Sequence, residues 1–182
     1  EETGIDYLIV DEAHLFKNLM IQTKLNDVAG VTGANSQRAS DLYMKTEFLL
    51  DKQNGKGVVF ATGTPVSNSL SELYVMMKYL EPHILEKMGI YSFDEWVSTF
   101  AEVTNSLELA PSGNGYRVRQ RLAKFHNLPE LMSIFRMVAD IKTKEDLNLP
   151  VPQIKNGKPT VIALEPSNEL EEYMQEIVKR SE

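Results

Sequence analysis

The sequence predicts an α/β fold in which a parallel sheet is flanked by helices. Two short apolar segments, residues 5–10 and 58–61, are rich in β-branched side chains and are typical of strands buried inside a parallel sheet. A helical pattern of apolar residues separates them, as the connection between parallel strands requires. The chain has 182 residues, of which 42% are hydrophobic, and this is enough to form the core of one domain or slightly more.

A loop and a helix are predicted between the two strands. Residues 27–40 are mostly small or polar, a composition that favours a loop. Apolar residues near one helical face predict a helix from about Gln37 to Lys52, with Asn54-Gly55 as its stop signal. The second strand follows, and residues 62–65 are predicted to turn sharply out of its carboxyl end.

Three further helices are predicted after the second strand. Ser69 and Glu72 form a capping-box pattern at the start of a helix that Glu81-Pro82 should stop. A short helix is predicted over Phe93–Ala101, and Asn127 is predicted to cap the next one.

The end of the chain predicts a break followed by a smaller unit. Residues 149–152 must be extended, because each proline restricts the residue before it, and we place a linker there. Residues 159–164 predict a strand, and Asn168 is predicted to cap a final helix. That helix carries an apolar stripe that needs a partner, formed by Leu170, Tyr173, Met174, Ile177 and Val178.

Polar residues follow both predicted strands at their carboxyl ends. Asp11 and Glu12 follow the first strand, and Thr62-Gly63-Thr64 follows the second. Ligands of open parallel sheets bind outside the carboxyl ends of the strands, so we expect these residues to converge on one crevice. Neither motif is specific alone, because an Asp-Glu pair or a Gly-Pro turn is common on protein surfaces.

The residue types at these strand ends suit the chemistry of a nucleotide phosphate. Asp11 fits a Mg²⁺ ligand acting through water, because this ion takes few protein carboxylates and keeps several waters. Glu12 would orient and deprotonate an attacking water. His14 is expected to hydrogen-bond toward the turn at residues 62–64 and to couple the two motifs.

The densest positive stretch of the chain follows an irregular segment. Residues 104–116 contain a proline and two glycines and predict an excursion or a hairpin. The basic residues that follow are Arg117, Arg119, Arg121 and Lys124. The sequence favours a solvated face for this run, with contact to a phosphate backbone as the alternative.

Composition excludes several functional classes. The chain has no cysteine, which removes disulfides, thiolate metal sites and cysteine nucleophiles, and fits a cytoplasmic protein. Its apolar runs are too short to span a bilayer, and the start of the chain lacks an export pattern, so no membrane partner is expected. The net charge of -7 argues against a surface that binds nucleic acid everywhere, although a local basic track is compatible with it.

These motifs resemble those of the Swi/Snf-like branch of superfamily 2 helicases, the duplex-DNA translocases related to chromatin remodellers. Residues 10–14, Val-Asp-Glu-Ala-His, with Lys17-Asn18, are similar to helicase motif II, the DEAH box. Residues 61–65, Ala-Thr-Gly-Thr-Pro, with Asn68, are similar to motif III. The long loop after motif II and the acidic composition look most like large bacterial mobile-element or phage proteins that join such a helicase to an adenine methyltransferase.

The resemblance implies a partial RecA-like P-loop NTPase lobe and the start of a second one. Residues 1–148 would be the C-terminal part of lobe 1, with an insertion at about 83–127. Residues 149–158 would be a linker, and residues 159–182 would begin lobe 2.

The resemblance also implies ATP hydrolysis with Mg²⁺ between two lobes, coupled to movement along duplex DNA. It gives Asp11 the Mg²⁺ ligand role, Glu12 the role of base and His14 that of coupler. The interlobe coupling motif would be formed by Thr62, Gly63 and Thr64. The remaining matches are expected to be structural, namely Lys17, Asn18, Pro65 and Asn68.

The sequence departs from the family pattern in two places. It has no Gly-x-Gly-Lys-Thr phosphate loop and no arginine-finger motif of lobe 2. We therefore expect a fragment of an ATP-dependent DNA translocase that needs the rest of its parent chain and is inactive alone, because phosphate-loop amides and lysine supply most phosphate contacts.

Two other functions stay open. A degenerate helicase-like lobe could act as a protein-interaction module that docks a partner through its acidic surface and its C-terminal apolar stripe. A metal-dependent hydrolase with Asp11, Glu12 and His14 as ligands is less favoured, because adjacent side chains leaving a strand point in opposite directions.

Overall fold

The computed structural model describes residues 4–31, 36–67, 69–110, 113, 115–148, 150, 152 and 157–181. The chain divides into two compact units. The first comprises residues 1–106 and 119–139, and the second comprises residues 107–118 and 140–182. The predicted lobe boundaries stay a prediction, and most of the predicted linker at 149–158 lies outside the described residues.

A two-stranded parallel sheet lies in the first unit. Strand β1 (Leu8–Val10) pairs with β2 (Val58–Phe60), so that Ile9 lies beside Val59. Helix α1 (Gln37–Lys52) connects the two strands, and the Ser36 side chain caps it by accepting a hydrogen bond from the backbone of Ala39. The predicted α/β class, the order of strand, helix and strand, and the bounds of this helix are confirmed.

The prediction that both faces of the sheet are buried is wrong. Val10 is buried, but Ile9 is 69% exposed and its partner Val59 is 40% exposed. Register partners lie on the same face, and the sheet has only two strands among the described residues, so each strand is an edge. The strand is also shorter than predicted, because β1 begins at Leu8 and not at Ile5.

Helix α2 (Ser71–Leu80) lies at the centre of the first unit, between two parts of the core. Val75 and Tyr79 pack with Val10 and other residues around the sheet. The larger cluster takes Leu73, Tyr74, Met76 and Met77 from α2 and packs them with α4 (Phe93–Phe100) and α5 (Leu128–Phe135). Because α2 is buried on several sides, it fixes the sheet relative to these helices.

The capping box predicted for α2 is wrong. Leu70 occupies the N-cap position without a side-chain hydrogen bond. The Glu72 carboxylate instead accepts a hydrogen bond from the backbone of Ser67. The predicted stop is confirmed, because α2 ends before Glu81 and α3 (Pro82–Lys87) starts immediately afterwards.

The predicted hairpin is present and longer than expected. Strands β3 (Ala101–Leu109) and β4 (Tyr116–Phe125) form a two-stranded sheet. The loop before α1 is attached to β4, because the Ala29 N–H donates to the Gln120 carbonyl at 2.9 Å and the Ala29 carbonyl accepts from the Leu122 N–H at 2.8 Å. Asn127 precedes α5 as predicted, although its side chain makes no capping hydrogen bond.

In its described residues, the second unit has the helices α6 (Lys144–Leu147) and α7 (Asn168–Ser181). The predicted final helix is confirmed, but its cap is Ser167 and not Asn168, since the Ser167 hydroxyl accepts from the Leu170 N–H at 3.3 Å. The strand predicted at residues 159–164 is wrong. Val161 and Ile162 are 88% and 77% exposed there, and no described strand pairs with this segment.

No helix within the described ranges is both long and apolar enough to cross a bilayer.

Candidate functional site

The ends of β1 and β2 bring the two predicted motifs together. Parallel pairing continues beyond the strands, because the Ala61 N–H donates to the Val10 carbonyl at 2.9 Å and the Ala13 N–H donates to the Ala61 carbonyl at 3.0 Å. These bonds hold the Asp11–Glu12 segment beside the turn that begins at Thr62. The arrangement follows from the parallel register of the two strands.

His14 connects Glu12 with Thr62. Its Nδ1 atom lies 3.0 Å from Thr62 Oγ1 and 3.1 Å from Glu12 Oε2. The hydrogen bond of Nδ1 is with Thr62 Oγ1, and which of the two atoms is the donor depends on the tautomer of the ring. The contact expected between His14 and the turn after β2 is therefore present, and it is shared with Glu12.

The turn after β2 is itself ordered by Thr62. The Thr62 hydroxyl oxygen accepts a hydrogen bond from the Thr64 N–H at 3.2 Å. Gly63, Thr64 and Pro65 are exposed. A polar chain thus runs from the Glu12 carboxylate through His14 and Thr62 to the backbone of Thr64.

Glu12 has a left-handed backbone conformation, with φ 50° and ψ 45°. This region costs residues other than glycine roughly 1–2 kcal/mol. The other described non-glycine residues with positive φ are Asp27, Asn54 and Asn148, whose short polar side chains tolerate it. Strain of this kind often marks functional positions, and here it turns the Glu12 side chain back over His14.

Asp11 lies beside Glu12 and is exposed. Its Oδ1 atom accepts a hydrogen bond from the Glu12 N–H at 2.9 Å. In the described part of the chain, no three His, Cys, Asp or Glu side chains are placed to hold a metal ion together. One exposed carboxylate fits Mg²⁺, which takes one or two protein ligands and completes its shell with waters and phosphate oxygens.

A 3₁₀ helix, Ala13–Phe16, carries His14, and side chains of α1 and α2 contact it. The Tyr79 hydroxyl lies 3.2 Å from the Phe16 carbonyl and 2.8 Å from the Ala39 carbonyl, and is the donor to both. Arg38 donates to the Leu15 carbonyl at 3.0 Å, and its guanidinium carbon lies 5.0 Å from the centre of the Phe16 ring. These contacts fix the orientation of the segment that contains His14.

A buried ion pair connects Lys17, at the end of the first motif, with Glu72 on α2. Lys17 Nζ lies 2.9 Å from Glu72 Oε1, and the Glu72 side chain is 1% exposed. Glu72 Oε2 accepts from the Ser67 N–H at 2.7 Å and from the Ser67 hydroxyl at 3.2 Å. Sequence reasoning missed this pair, because it assigned Glu72 to a capping box and gave Lys17 an unspecified structural role.

The other residues of the two motifs have smaller roles in the structure. The Asn18 carbonyl accepts a hydrogen bond from the Ser36 N–H at 3.1 Å, which anchors the start of α1. Asn68 lies outside the described residues.

The basic residues of the hairpin are exposed on β4. Arg119 and Arg121 belong to the first unit, and they share one side of the strand because alternate residues point the same way. Lys124 lies on the opposite side in this register. Arg117 belongs to the second unit and is also exposed.

Comparison with known proteins gives one family match and several relatives. A family model described as "Probable helicase domain" matches residues 1–143. "Defense against restriction protein B" of Escherichia phage P1 is 31% identical over 159 residues, which are 85% of this chain and 7% of that protein.

Two further relatives match shorter regions of the chain. "Probable ATP-dependent DNA helicase CHR23" of Arabidopsis thaliana is 35% identical over 98 residues, 53% of this chain and 7% of that protein. "Transcription regulatory protein SNF2" of Saccharomyces cerevisiae is 29% identical over 97 residues, 53% of this chain and 5% of that protein. The chain spans only a small part of these relatives, and no solved structure matches it.

Proposed function

Because this chain belongs to the probable helicase domain family, within the Swi/Snf-like branch of superfamily 2, we propose that it supplies part of the ATP-hydrolysing site of a DNA translocase. The observation that carries the proposal is the geometry at the ends of β1 and β2. Asp11 and Glu12 lie beside the turn at Thr62, and His14 bridges Glu12 and Thr62.

Asp11 and Glu12 have separate roles in this proposal. Asp11 would hold Mg²⁺ through a water molecule, and Mg·ATP, when bound, supplies the phosphate bond that is cleaved and a cation that neutralises its charge. Glu12 accepts the proton of the attacking water. Its side chain is 60% exposed, so it is accessible to such a water.

His14 and the residues Thr62, Gly63 and Thr64 couple the base to the turn. Nδ1–H is within hydrogen-bond distance of both Glu12 and Thr62. A donor shared between these two oxygens ties the position of the Glu12 carboxylate to that of Thr62. A movement of the turn would therefore move the base relative to the attacking water.

The phosphate contacts come from another segment in this proposal. The 182-residue sequence contains no Gly-x-Gly-Lys-Thr loop, and the matched relatives are far longer than this chain. The rest of the parent protein is therefore the first partner of these residues. Alone, the chain would bind ATP weakly and would not turn it over.

Duplex DNA is the second partner that we propose. One relative is described as a DNA helicase, and this chain carries exposed basic residues on β4. Arg119 and Arg121 point to one side of the strand and would contact two phosphates, with Lys124 as a further contact. Lys or Arg contacts of this kind make binding weaker as salt rises.

The proposal is tested by ATP hydrolysis in the full-length protein that contains these residues. Duplex DNA should stimulate turnover, and Asp11→Asn should lower it by about a hundredfold or more, since metal positioning is lost. Asp41→Asn is the control, because Asp41 is an exposed carboxylate on α1 paired with Lys45. Wild-type turnover in Asp11→Asn would refute the role of Asp11.

One observation favours a second function, a protein-interaction module. Helix α7 exposes an apolar stripe whose members are 38–56% exposed, namely Leu170, Tyr173, Met174 and Ile177. An absence of ATP turnover in the full-length protein, with and without DNA, would favour this function over the motor.

A further inference from the structure

Two separate contacts connect the segment that contains the 3₁₀ helix and Lys17 with the segment from the turn after β2 to the start of α2. We call them the near link and the far link. The near link is the hydrogen bond between His14 and Thr62. The far link is the Lys17–Glu72 pair, which also reaches Ser67, since Lys17 Nζ lies 2.6 Å from the Ser67 hydroxyl. Lys17 follows the 3₁₀ helix directly, and its N–H donates to the His14 carbonyl at 3.3 Å.

We propose that Lys17 and Glu72 are positioning residues that hold the catalytic segment and the turn after β2 as one unit. This inference rests on the proposed function. The pair fixes the end of the 3₁₀ helix against the end of the turn, and this keeps the distance between His14 and Thr62. Glu12 then stays in its left-handed conformation beside His14.

The hydrogen bonds of Glu72 indicate that it orients Ser67 relative to Lys17. Oε1 faces Lys17, while Oε2 accepts from both the N–H and the hydroxyl of Ser67. Replacing a buried ion pair with apolar residues often costs no stability, so stability alone does not require charges here. An apolar pair would fill the space, but it could not orient the backbone of Ser67.

Loss of the pair should affect catalysis more than ATP binding. Neither Lys17 nor Glu72 is among the residues that we assign to the nucleotide. Once this far link is lost, the turn and the 3₁₀ helix can move relative to each other. A displacement of about 1 Å near reacting groups can cost about a hundredfold in rate.

The test is ATP hydrolysis by the full-length protein in the presence of duplex DNA. The variant Lys17→Met/Glu72→Leu removes both charges together, so no single buried charge remains. We expect it to fold, as judged by thermal unfolding, to lose about tenfold or more in kcat, and to keep KM for ATP within about twofold. The matched control is Lys45→Met/Asp41→Leu, which removes an exposed pair on α1 and should leave kcat unchanged.

A wild-type kcat in the folded double variant would overturn the inference. If the double variant does not fold, Ser67→Ala decides, because Ser67 is exposed and its loss removes only the hydroxyl contacts. We expect about threefold lower kcat from Ser67→Ala, the equivalent of one weak hydrogen bond, and an unchanged kcat would overturn the inference.

Glu12→Gln separates this inference from the proposed function. If Glu12→Gln is inactive while the double variant has wild-type kcat, the positioning role is wrong and the proposed function stands. If Glu12→Gln retains full activity, the proposed function is wrong and the positioning role falls with it.

Discussion

The left-handed backbone of Glu12 predicts an unusual order of stability between two variants. Glu12→Gly and Glu12→Ala both remove the carboxylate and its 3.1 Å contact with His14. They differ only in the Cβ atom at a position with φ 50° and ψ 45°. The difference in their free energies of unfolding therefore reports the effect of the Cβ on the backbone at this position.

The expected magnitude follows from two opposing contributions. Removing the Cβ relieves roughly 1–2 kcal/mol of left-handed strain. Glycine loses more conformational freedom on folding, which costs roughly 0.5–1 kcal/mol. Glu12→Gly should therefore be more stable than Glu12→Ala by about 0.7 kcal/mol, within a range of about 0–1.5 kcal/mol.

The assay is urea unfolding of the two variants. The slope of the free energy of unfolding against urea concentration should be the same in both, so that the difference reflects stability alone. Asp41 provides the control, because it is exposed and lies inside α1, beyond its first turn. There the order should reverse, and Asp41→Gly should be less stable than Asp41→Ala by about 0.5–1 kcal/mol. The same order at both positions would refute the strain at Glu12.

Three further predictions concern the surroundings of the site. Tyr79→Phe removes the hydroxyl between the carbonyls of Phe16 and Ala39 and should lower the free energy of unfolding by about 1–2 kcal/mol. Tyr91→Phe is the control, because Tyr91 is 74% exposed and its hydroxyl should contribute little. Equal effects of the two variants in urea unfolding would contradict this prediction. Burial raises the pKa of Glu81 from 4.5 to about 7, and its carboxylate oxygens have no hydrogen-bond partner among the described residues. The unfolded chain loses this proton first, so the free energy of unfolding should fall as the pH rises from 4.5 to 7, by at most about 3.4 kcal/mol. Glu81→Gln but not Glu102→Gln should flatten this slope. Titration calorimetry of the 182-residue chain should show no micromolar affinity for Mg·ATP, and such an affinity would contradict the assignment of phosphate contacts to another segment.

The sequence predicted those features that depend on local pattern. The apolar periodicity and the Asn54-Gly55 stop predicted α1 with its observed bounds. The parallel order of two strands predicted that Asp11 and Thr62 would lie at one edge, since the carboxyl ends of parallel strands meet there. The motifs also identified the helicase family, which the comparisons confirm.

Features that depend on distant partners were not predictable in the same way. Ile9 was expected to be buried, but burial depends on neighbouring strands that a single segment does not specify. Residues 159–164 have strand-like composition, yet strand formation requires a pairing partner. Lys17 and Glu72 are 55 positions apart (72 − 17), and each residue alone has a more common local explanation.

The backbone conformation of Glu12 was also beyond sequence reasoning. Glutamate gives no sign of a left-handed conformation, which glycine, asparagine and aspartate favour. The Asp-Glu pair was therefore expected to leave the strand with side chains on opposite sides. The structure instead turns Glu12 back onto His14, and this links the proposed base to the turn after β2.

Glu12→Gln in the full-length protein tests the central claim most directly. ATP binding and ATP turnover should be measured on the same preparation in the presence of duplex DNA. Gln keeps the size and the polar contacts of the side chain but cannot accept a proton from water, so ATP should stay bound while turnover falls by about a hundredfold or more. Turnover at the wild-type rate, with ATP bound equally well, would contradict the claim that the carboxylate at the end of β1 is the base of a nucleotide-driven motor.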